Sequence, residues 1–414
     1  MKLRADDRRP LTECHGEWSV PGAWERPDAV VGGRGSGGND SDSGGIGPGR
    51  RHPGSPSRGL PEPVRQRVGV RTTVDRFIPE GVTGSTMAVS FPGATYVKVH
   101  FGELALHPGD VVTVADPSGA EVYRYQPATI GDGWADSISG DTALVSVQHS
   151  PSAGSSLALE SLSRPGVRVD QVTRGFTAAE SAARSGQRAE SICGGSDDSR
   201  NAVCYRSTQP IAYGRSKAVA RLLINGAELC TTWRVGPNNR LLTNNHCLAT
   251  TEEVQSAEVW FDYACVQCDG PETPRTVKTR GNRLLATDAT LDFSLFTVDD
   301  FAGIERFGFL ELDERQPQPG DEVYIPQHPK GVPTVIAMAD PQEATGNCAV
   351  SDPRYDGYAP DTDVSYLCDT DGGSSGSPVI SRRSNKVIAL HHFGGCPNSG
   401  VRIDLISARI AAML

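Results

Sequence analysis

The sequence has no apolar run near the roughly 18 residues a helix needs to cross a bilayer, so no segment reads as a helical membrane span. It has no Lys or Arg run longer than a few residues, and its formal net charge is −10 over 414 residues. Nucleic acid and anionic membrane surfaces are held by concentrated positive charge, so neither is an expected partner. A Gly-rich phosphate loop and a paired-acid calcium motif are both missing, and no cofactor and no metal is expected. No internal repeat recurs at a fixed period. The N-terminus, MKLRADDRRPLTECHG, lacks the apolar core of a signal peptide.

What is there reads as globular: 37% hydrophobic and 22% charged residues, with length for two folded units plus tails. A peptide or small polar molecule is the expected substrate. Of the ten cysteines, nine lie from Cys193 onward and Cys14 stands alone in the tail. That clustering suits a disulfide framework made in an oxidising compartment. The expectation is a secreted protein, with residues 1 to about 60 an extension ahead of the natural start.

Residues 1–63 are dominated in their second half by Gly, Ser, Pro and charge and cannot bury enough apolar surface to offset ordering, so a disordered tail is expected. From residue 64 the chain turns to short alternating runs such as STMAVSF, TYVKVHF and TALVSV, punctuated by PGA, HPGD and SRPG turns. Residues 64–172 therefore read as a β-sandwich or jelly roll, an accessory or pro-domain without a catalytic cluster. Residues 173–190, polar and Ala-rich, read as a linker. Residues 191–414 return to short β runs with Gly/Pro turns and abundant cysteine, the pattern of a disulfide-braced β-barrel domain. The chain as a whole reads as all-β.

The third region holds a nucleophile, a base and an orienting acid in the order His246 (LLTNNHC), Asp292 (LDFSLF) and Ser375 (GGSSGSP), separated by 46 and 83 residues. A serine hydroxyl is a weak nucleophile until a base takes its proton, and the base needs a carboxylate to hold its tautomer and stabilise the imidazolium. The three residue types are required together.

Those three blocks resemble the His, Asp and Ser blocks of the chymotrypsin-like (trypsin-like) serine proteases, and more narrowly the bacterial extracellular branch that includes lysyl and glutamyl endopeptidases. The resemblance covers residues 191–414 and implies a double β-barrel, an acyl-enzyme mechanism and a peptide or protein substrate, cut by a monomer. It also separates the two adjacent serines. Ser375 is followed by Gly, a small residue and Pro, as the family's nucleophile is, and Ser374 is not. The backbone N–H groups of Gly373 and Ser375 would form the oxyanion hole. The competing G-x-S-x-G parse, with Ser374 as nucleophile, needs an acid and then a histidine downstream, and Asp404 follows the histidines instead. Ser374 also stands where the animal digestive enzymes carry the Asp of their activation switch.

The resemblance implies further pairings and pocket residues. Cys230 with Cys247 matches the histidine-loop disulfide, and the lysyl endopeptidase pattern suggests Cys193 with Cys396 and Cys204 with Cys265 or Cys268. Proximity suggests Cys348 with Cys368. Asp369, six residues before Ser375, stands where trypsin-like enzymes hold Lys or Arg, and loop 352–371 carries six aspartates against Arg354. Cleavage after a basic residue is the first expectation. His392, before Phe393 and Gly394, resembles the pocket histidine of glutamyl endopeptidases and supports the alternative. A further alternative is an inert protease-like binding protein. His100 and His328 read as packing or turn residues.

Overall fold

A computed structural model of the chain describes residues 65–79, 86–106, 109–126, 133–148, 166–185, 192–270 and 276–414. The expected tail, 1–63, lies outside the described residues. Among the described residues four sheets organise the fold, two of four strands and two larger ones of seven and eight.

The four-stranded sheets face each other. One runs Gly69–Pro79, Gly166–Gly175, Tyr96–Ala105, Ile138–Ser139, and the other Thr86–Ser90, Thr142–Gln148, Val111–Ala115, Val122–Tyr125. Strict alternation drives this: in Thr142–Gln148 the residues Ala143, Val145 and Val147 point inward, and with Val97, Val99, Val112, Val114 and Val172 they fill one core. The last strand, Gly166–Gly175, runs past position 172, and a helix follows at Ala178–Ser185. Its start is a capping box, with Glu180 N–H donating to Thr177 Oγ1 (3.2 Å) and Thr177 N–H to Glu180 Oε2 (2.9 Å).

The seven-stranded sheet closes on itself, because Glu228–Arg234 pairs with both Val219–Ile224 and Leu241–Thr243. Leu222, Ile224, Leu241, Val259, Phe261 and Phe296 fill this first barrel. The eight-stranded sheet forms the second, with bridges Glu322↔Ala349 and Ala339↔Asn347 drawing its far strand back. Its core includes Val323, Ile325, Val364, Tyr366 and Val379. A third cluster, with Trp233, Leu242, Phe293, Tyr324, Ile380, Leu390 and Ile406, joins the two barrels. The final helix, Ile403–Ile410, buries Ile403, Ile406 and Ile410 against it.

Val219–Ile224 is buried on both faces, which no solvated barrel strand would be. The sandwich covers its outer face. Arg221 is sealed beneath the rings of Tyr96, Trp260 and Tyr263, and Val68, Tyr96, Leu223, Leu229 and Trp260 form a shared cluster. Beside them Glu258, 1% exposed, takes Lys98 Nζ at 2.5 Å, Ser137 Oγ at 2.6 Å and Trp260 Nε1 at 3.0 Å. Burial opposes its charge, but Lys98 and Lys278 outweigh burial and hold the carboxyl well below its ordinary pKa. Strand Gln66–Arg67 does not belong to the sandwich. It pairs antiparallel with the first barrel, Gln66 opposite Leu229 and Arg67 opposite Glu228.

Disulfides join Cys193 to Cys396, Cys204 to Cys268 and Cys230 to Cys247. Cys265 is disulfide-bonded too. Proximity did bring Cys348 and Cys368 together, but contrary to the expectation they are not bridged: both are free and buried, the two thiols lie against each other, and the Cys348 thiol also donates to the carbonyl of Ala339 at 3.3 Å.

Candidate active site

The site lies where the two barrels meet. His246 follows strand Leu241–Thr243, and Asp292 immediately precedes Phe293–Val298, which pairs with it. Thr243 opposite Ser294 brings the two loops side by side. Asp292 takes a left-handed conformation at φ 40°, which turns its buried carboxylate back toward the histidine. Its Oδ2 lies 2.8 Å from His246 Nδ1, and its Oδ1 accepts the His246 backbone N–H at 2.9 Å. Asn244 Nδ2 donates to the Asp292 carbonyl at 2.9 Å and ties the loops together. The other ring nitrogen, His246 Nε2, is buried and has no hydrogen-bond partner among the described residues.

Ser375 sits in a turn built by two glycines in left-handed geometry, Gly373 at φ 99° and Gly376 at φ 87°. The turn is pinned to the first barrel: Thr231 N–H donates to the Ser375 carbonyl at 2.8 Å, and Thr231 Oγ1 to the Gly373 carbonyl at 2.9 Å. Thr243 Oγ1, three residues before His246, donates to the Thr231 carbonyl at 2.8 Å, so one short chain of bonds links the serine turn to the histidine loop. No side chain fits at Gly376, where a Cβ would lie 2.1 Å from the Thr231 carbonyl oxygen. The N–H groups of Gly373 and Ser375 have no hydrogen-bond partner among the described residues. Ser374 is fully buried, and its hydroxyl accepts the Asp371 N–H at 3.1 Å.

His392 lies behind Asp292. Its Nδ1 is 3.1 Å from Asp292 Oδ2 and its Nε2 is 2.6 Å from Asp363 Oδ2. Burial works against its charge, but Asp363 and Asp292 outweigh burial and push its pKa up to about 9, so both ring nitrogens donate near neutral pH. Asp292 answers the same way: burial disfavours the anion, yet the charge of His246 and the bonds from His246 and His392 hold its carboxyl well below the usual range. Asp363, fully buried, also accepts Ser399 Oγ at 2.7 Å. His391 faces away, its Nδ1 2.7 Å from Tyr366 Oη, and burial lowers its pKa to about 3. His328, also buried, holds the Val332 carbonyl.

Asp369 is 4% exposed. Its two carboxylate oxygens accept the backbone N–H groups of Cys193 (3.0 Å) and Asp198 (2.8 Å), so the segment tethered by Cys193–Cys396 rests on it. Burial pushes its carboxyl up to about 6 against those bonds. Gly394 is half-buried just beyond strand Val387–Phe393. The structure thus gathers His246, Asp292, His392 and the Gly373–Ser375 turn, and gives the polar atoms of Asp369 and His392 internal partners. Asp363 was read as part of an acidic loop. Only the pairing of Asp363–Tyr366 with Asn398–Arg402, beside Val387–Phe393, reveals it as a neighbour of the site.

Two β-barrels with a His–carboxylate pair and a glycine-turn serine at their junction define the chymotrypsin-like class. Residues 230–390 match the family described as Trypsin-like peptidase domain. The chain is 34% identical over 322 residues to the Secreted RxLR effector protein 73 of Plasmopara viticola, covering 74% of this chain and 77% of that one. It is 30% identical over 198 residues to the uncharacterized protein y4fB of Sinorhizobium fredii, covering 43% of this chain and 28% of that one. Among solved structures it resembles a Glu endopeptidase (TM-score 0.40, 17% identity, 54% of this chain and 100% of the other). It also resembles the inactive form of the Rv3671c protease of M. tuberculosis (TM-score 0.37, 16% identity, 50% and 95%). The chain belongs to the trypsin-like peptidase family, with the chymotrypsin-like fold.

Proposed function

We propose that the protein is a secreted serine endopeptidase, acting as a monomer through His246, Asp292 and Ser375. The observation that carries this reading is His246 itself: Nδ1 is fixed by a buried carboxylate while Nε2, buried, is left without a partner. In that tautomer Nε2 takes the Ser375 Oγ proton as Oγ attacks the peptide carbonyl carbon. The carbonyl oxygen, now an anion, is met by the N–H groups of Gly373 and Ser375, each such donor being worth roughly 3–4 kcal/mol in the transition state. Collapse breaks the C–N bond, the amine leaves with the proton from Nε2, and water repeats the sequence on the acyl-enzyme. His392 holds Asp292 from behind, so three donors fix one carboxylate.

For specificity, cleavage after Lys or Arg is favoured over cleavage after Glu. His392 already donates from both nitrogens to carboxylates and has none left for a substrate carboxylate. Asp369 carries the basic preference in this reading, with Gly394 beside the same pocket: unlike a ring N–H, which donates once, each of its oxygens accepts one backbone N–H and keeps a lone pair for a substrate cation. Residues 64–172 act as an accessory or pro-domain docked on the first barrel and 191–414 as the protease domain. Secretion is supported by the disulfides and by the name of the Plasmopara relative.

That relative's name, an effector, also favours an inert protease-like binding protein as a second reading. A fluorophosphonate probe decides between them: the peptidase is labelled at Ser375 and the Ser375→Ala variant is not, whereas folded protein that resists labelling supports the inert reading. Matched Lys, Arg and Glu peptides then report the preference, which Asp369→Ala should abolish.

A further inference from the structure

In the first barrel, Glu228–Arg234 gives its later half to Leu241–Thr243, which leaves the edge at Glu228–Leu229 facing the active site. That edge is not open. Gln66 and Arg67 pair with it, and Val68 N–H continues the ladder to the Ala227 carbonyl at 2.8 Å.

The covering strand lies against both halves of the site. Arg65 Nε donates to the carbonyl oxygen of His246 at 2.9 Å. Its guanidinium pairs with Glu228 at 3.0 Å and with Glu253. Gln66 stands over the serine turn, where a Cβ on Gly372 would come within 2.1 Å of Gln66 Oε1. Leu229, opposite Gln66, packs on Gly373, with its Cδ2 only 2.7 Å from where a Cβ would be. Glu253 is itself held rigidly, since its carboxylate accepts the Ala249 N–H at 2.7 Å and its backbone is capped by Thr250.

We propose that Glu228, Glu253 and the His246 carbonyl form a guanidinium-binding subsite on the leaving-group side of the cleft, filled in the intact chain by its own Arg65. This deepens the serine-peptidase reading and rests on it. The amine product departs past His246, because His246 gives it its proton, and Arg65 is bonded to the carbonyl of that same residue. The chain beyond the cut bond therefore runs along Glu228–Leu229, the edge that Gln66–Arg67 covers. An extended peptide adds to such an edge by main-chain bonds, with pockets for its side chains giving selectivity. Two carboxylates and a carbonyl around one planar cation select arginine. The intact chain accordingly admits small acylating reagents but resists polypeptides that extend past the cut bond. Displacing Arg65 frees a subsite that prefers substrates with arginine on the leaving-group side.

The full chain is tested in two assays: the labelling rate of Ser375 by a small fluorophosphonate, and the cleavage rate of dye-quenched casein. Arg65→Ala should raise casein cleavage by about 10- to 100-fold, the effect of losing hydrogen bonds between charged groups, with labelling within about threefold of wild type. An acetylated peptide of residues 65–70, RQRVGV, should inhibit Arg65→Ala, and its counterpart with citrulline at the first position at least about tenfold less well. If Arg65→Ala does not fold, as read by circular dichroism, Glu228→Gln/Glu253→Gln in the casein assay replaces it with the same expected rise. Normal labelling with unchanged casein cleavage would overturn the subsite and leave the serine reading standing. No labelling of any folded form would overturn both.

Discussion

The pair formed by His392 and Asp363 should be energetically coupled, and its strength can be worked from the geometry. Both side chains are fully buried, 2.6 Å apart, and His392 also reaches Asp292 at 3.1 Å. Replacing His392 by Phe preserves volume beside Tyr358 and Phe393 but strips the Asp363 carboxylate of its cation. Breaking a buried ion pair from one side costs about 3–5 kcal/mol, because the orphaned charge stays buried. The pH dependence gives an independent figure. His392 is raised from 6.5 to about 9, and at 1.36 kcal/mol per pKa unit the protonated form is stabilised by roughly 3 kcal/mol. Since the folded pKa lies above the unfolded one, that stability is fully present below about pH 6.5 and is lost as pH rises through about 9. The measurement is urea unfolding by tryptophan fluorescence, on a Ser375→Ala background to prevent self-digestion. His392→Phe, Asp363→Asn and the double variant are compared at pH 6 and pH 10. The double variant should cost less than the sum of the singles by at least about 1 kcal/mol at pH 6, and the gap between wild type and His392→Phe should shrink at pH 10. Additive singles, or a gap indifferent to pH, would refute the charged pair.

Three further outcomes follow from the same geometry. Gly373→Ala should lower kcat by about 100-fold or more, since the methyl would meet Leu229 and the His328 carbonyl at φ 99° and displace an oxyanion donor; kcat within tenfold of wild type would remove Gly373 from that role. Replacing Cys230 and Cys247 by alanine should cost about 3 kcal/mol in urea unfolding, the chain-entropy value for a 17-residue separation. Glu258→Gln should loosen the sandwich from the first barrel, because Lys98 would be left buried without its carboxylate; the readout is faster hydrogen exchange in Val219–Ile224 and Glu258–Phe261, and unchanged exchange there would mean that the apolar cluster alone holds the docking.

What was legible in the sequence is what depends on short stretches. Alternation at TALVSV marks a strand with one buried face, and GGSSGSP shows in itself the glycines that turn Ser375. What was not legible depends on register between distant strands. Asp363 and His392 are 29 residues apart and meet only because Asp363–Tyr366 and Val387–Phe393 pair on either side of Asn398–Arg402. Asp369 has the right spacing from Ser375, but no spacing rule could foresee the backbone of 193–198 folding over its carboxylate. Cys348 and Cys368 meet as proximity suggested, but as two buried free thiols in contact rather than as a disulfide.

Strand Gln66–Arg67 is the extreme case, pairing with residues more than 160 positions away. Read from the sequence, it opens the accessory domain. In the fold it is a strand of the first barrel, and the sandwich that follows is anchored beside it by Lys98, Ser137, Asp136 and Tyr96. The anchoring bears on how tightly the strand is held. A free tripeptide would bind this edge weakly, because each extended residue costs roughly 1–2 kcal/mol of backbone entropy to order. Tethered to a docked sandwich, Arg65–Arg67 has already been confined by contacts made elsewhere and meets the edge at high effective concentration. Severing the tether between Arg67 and the sandwich should therefore open the cleft as effectively as Arg65→Ala, without altering any contact that the arginine itself makes.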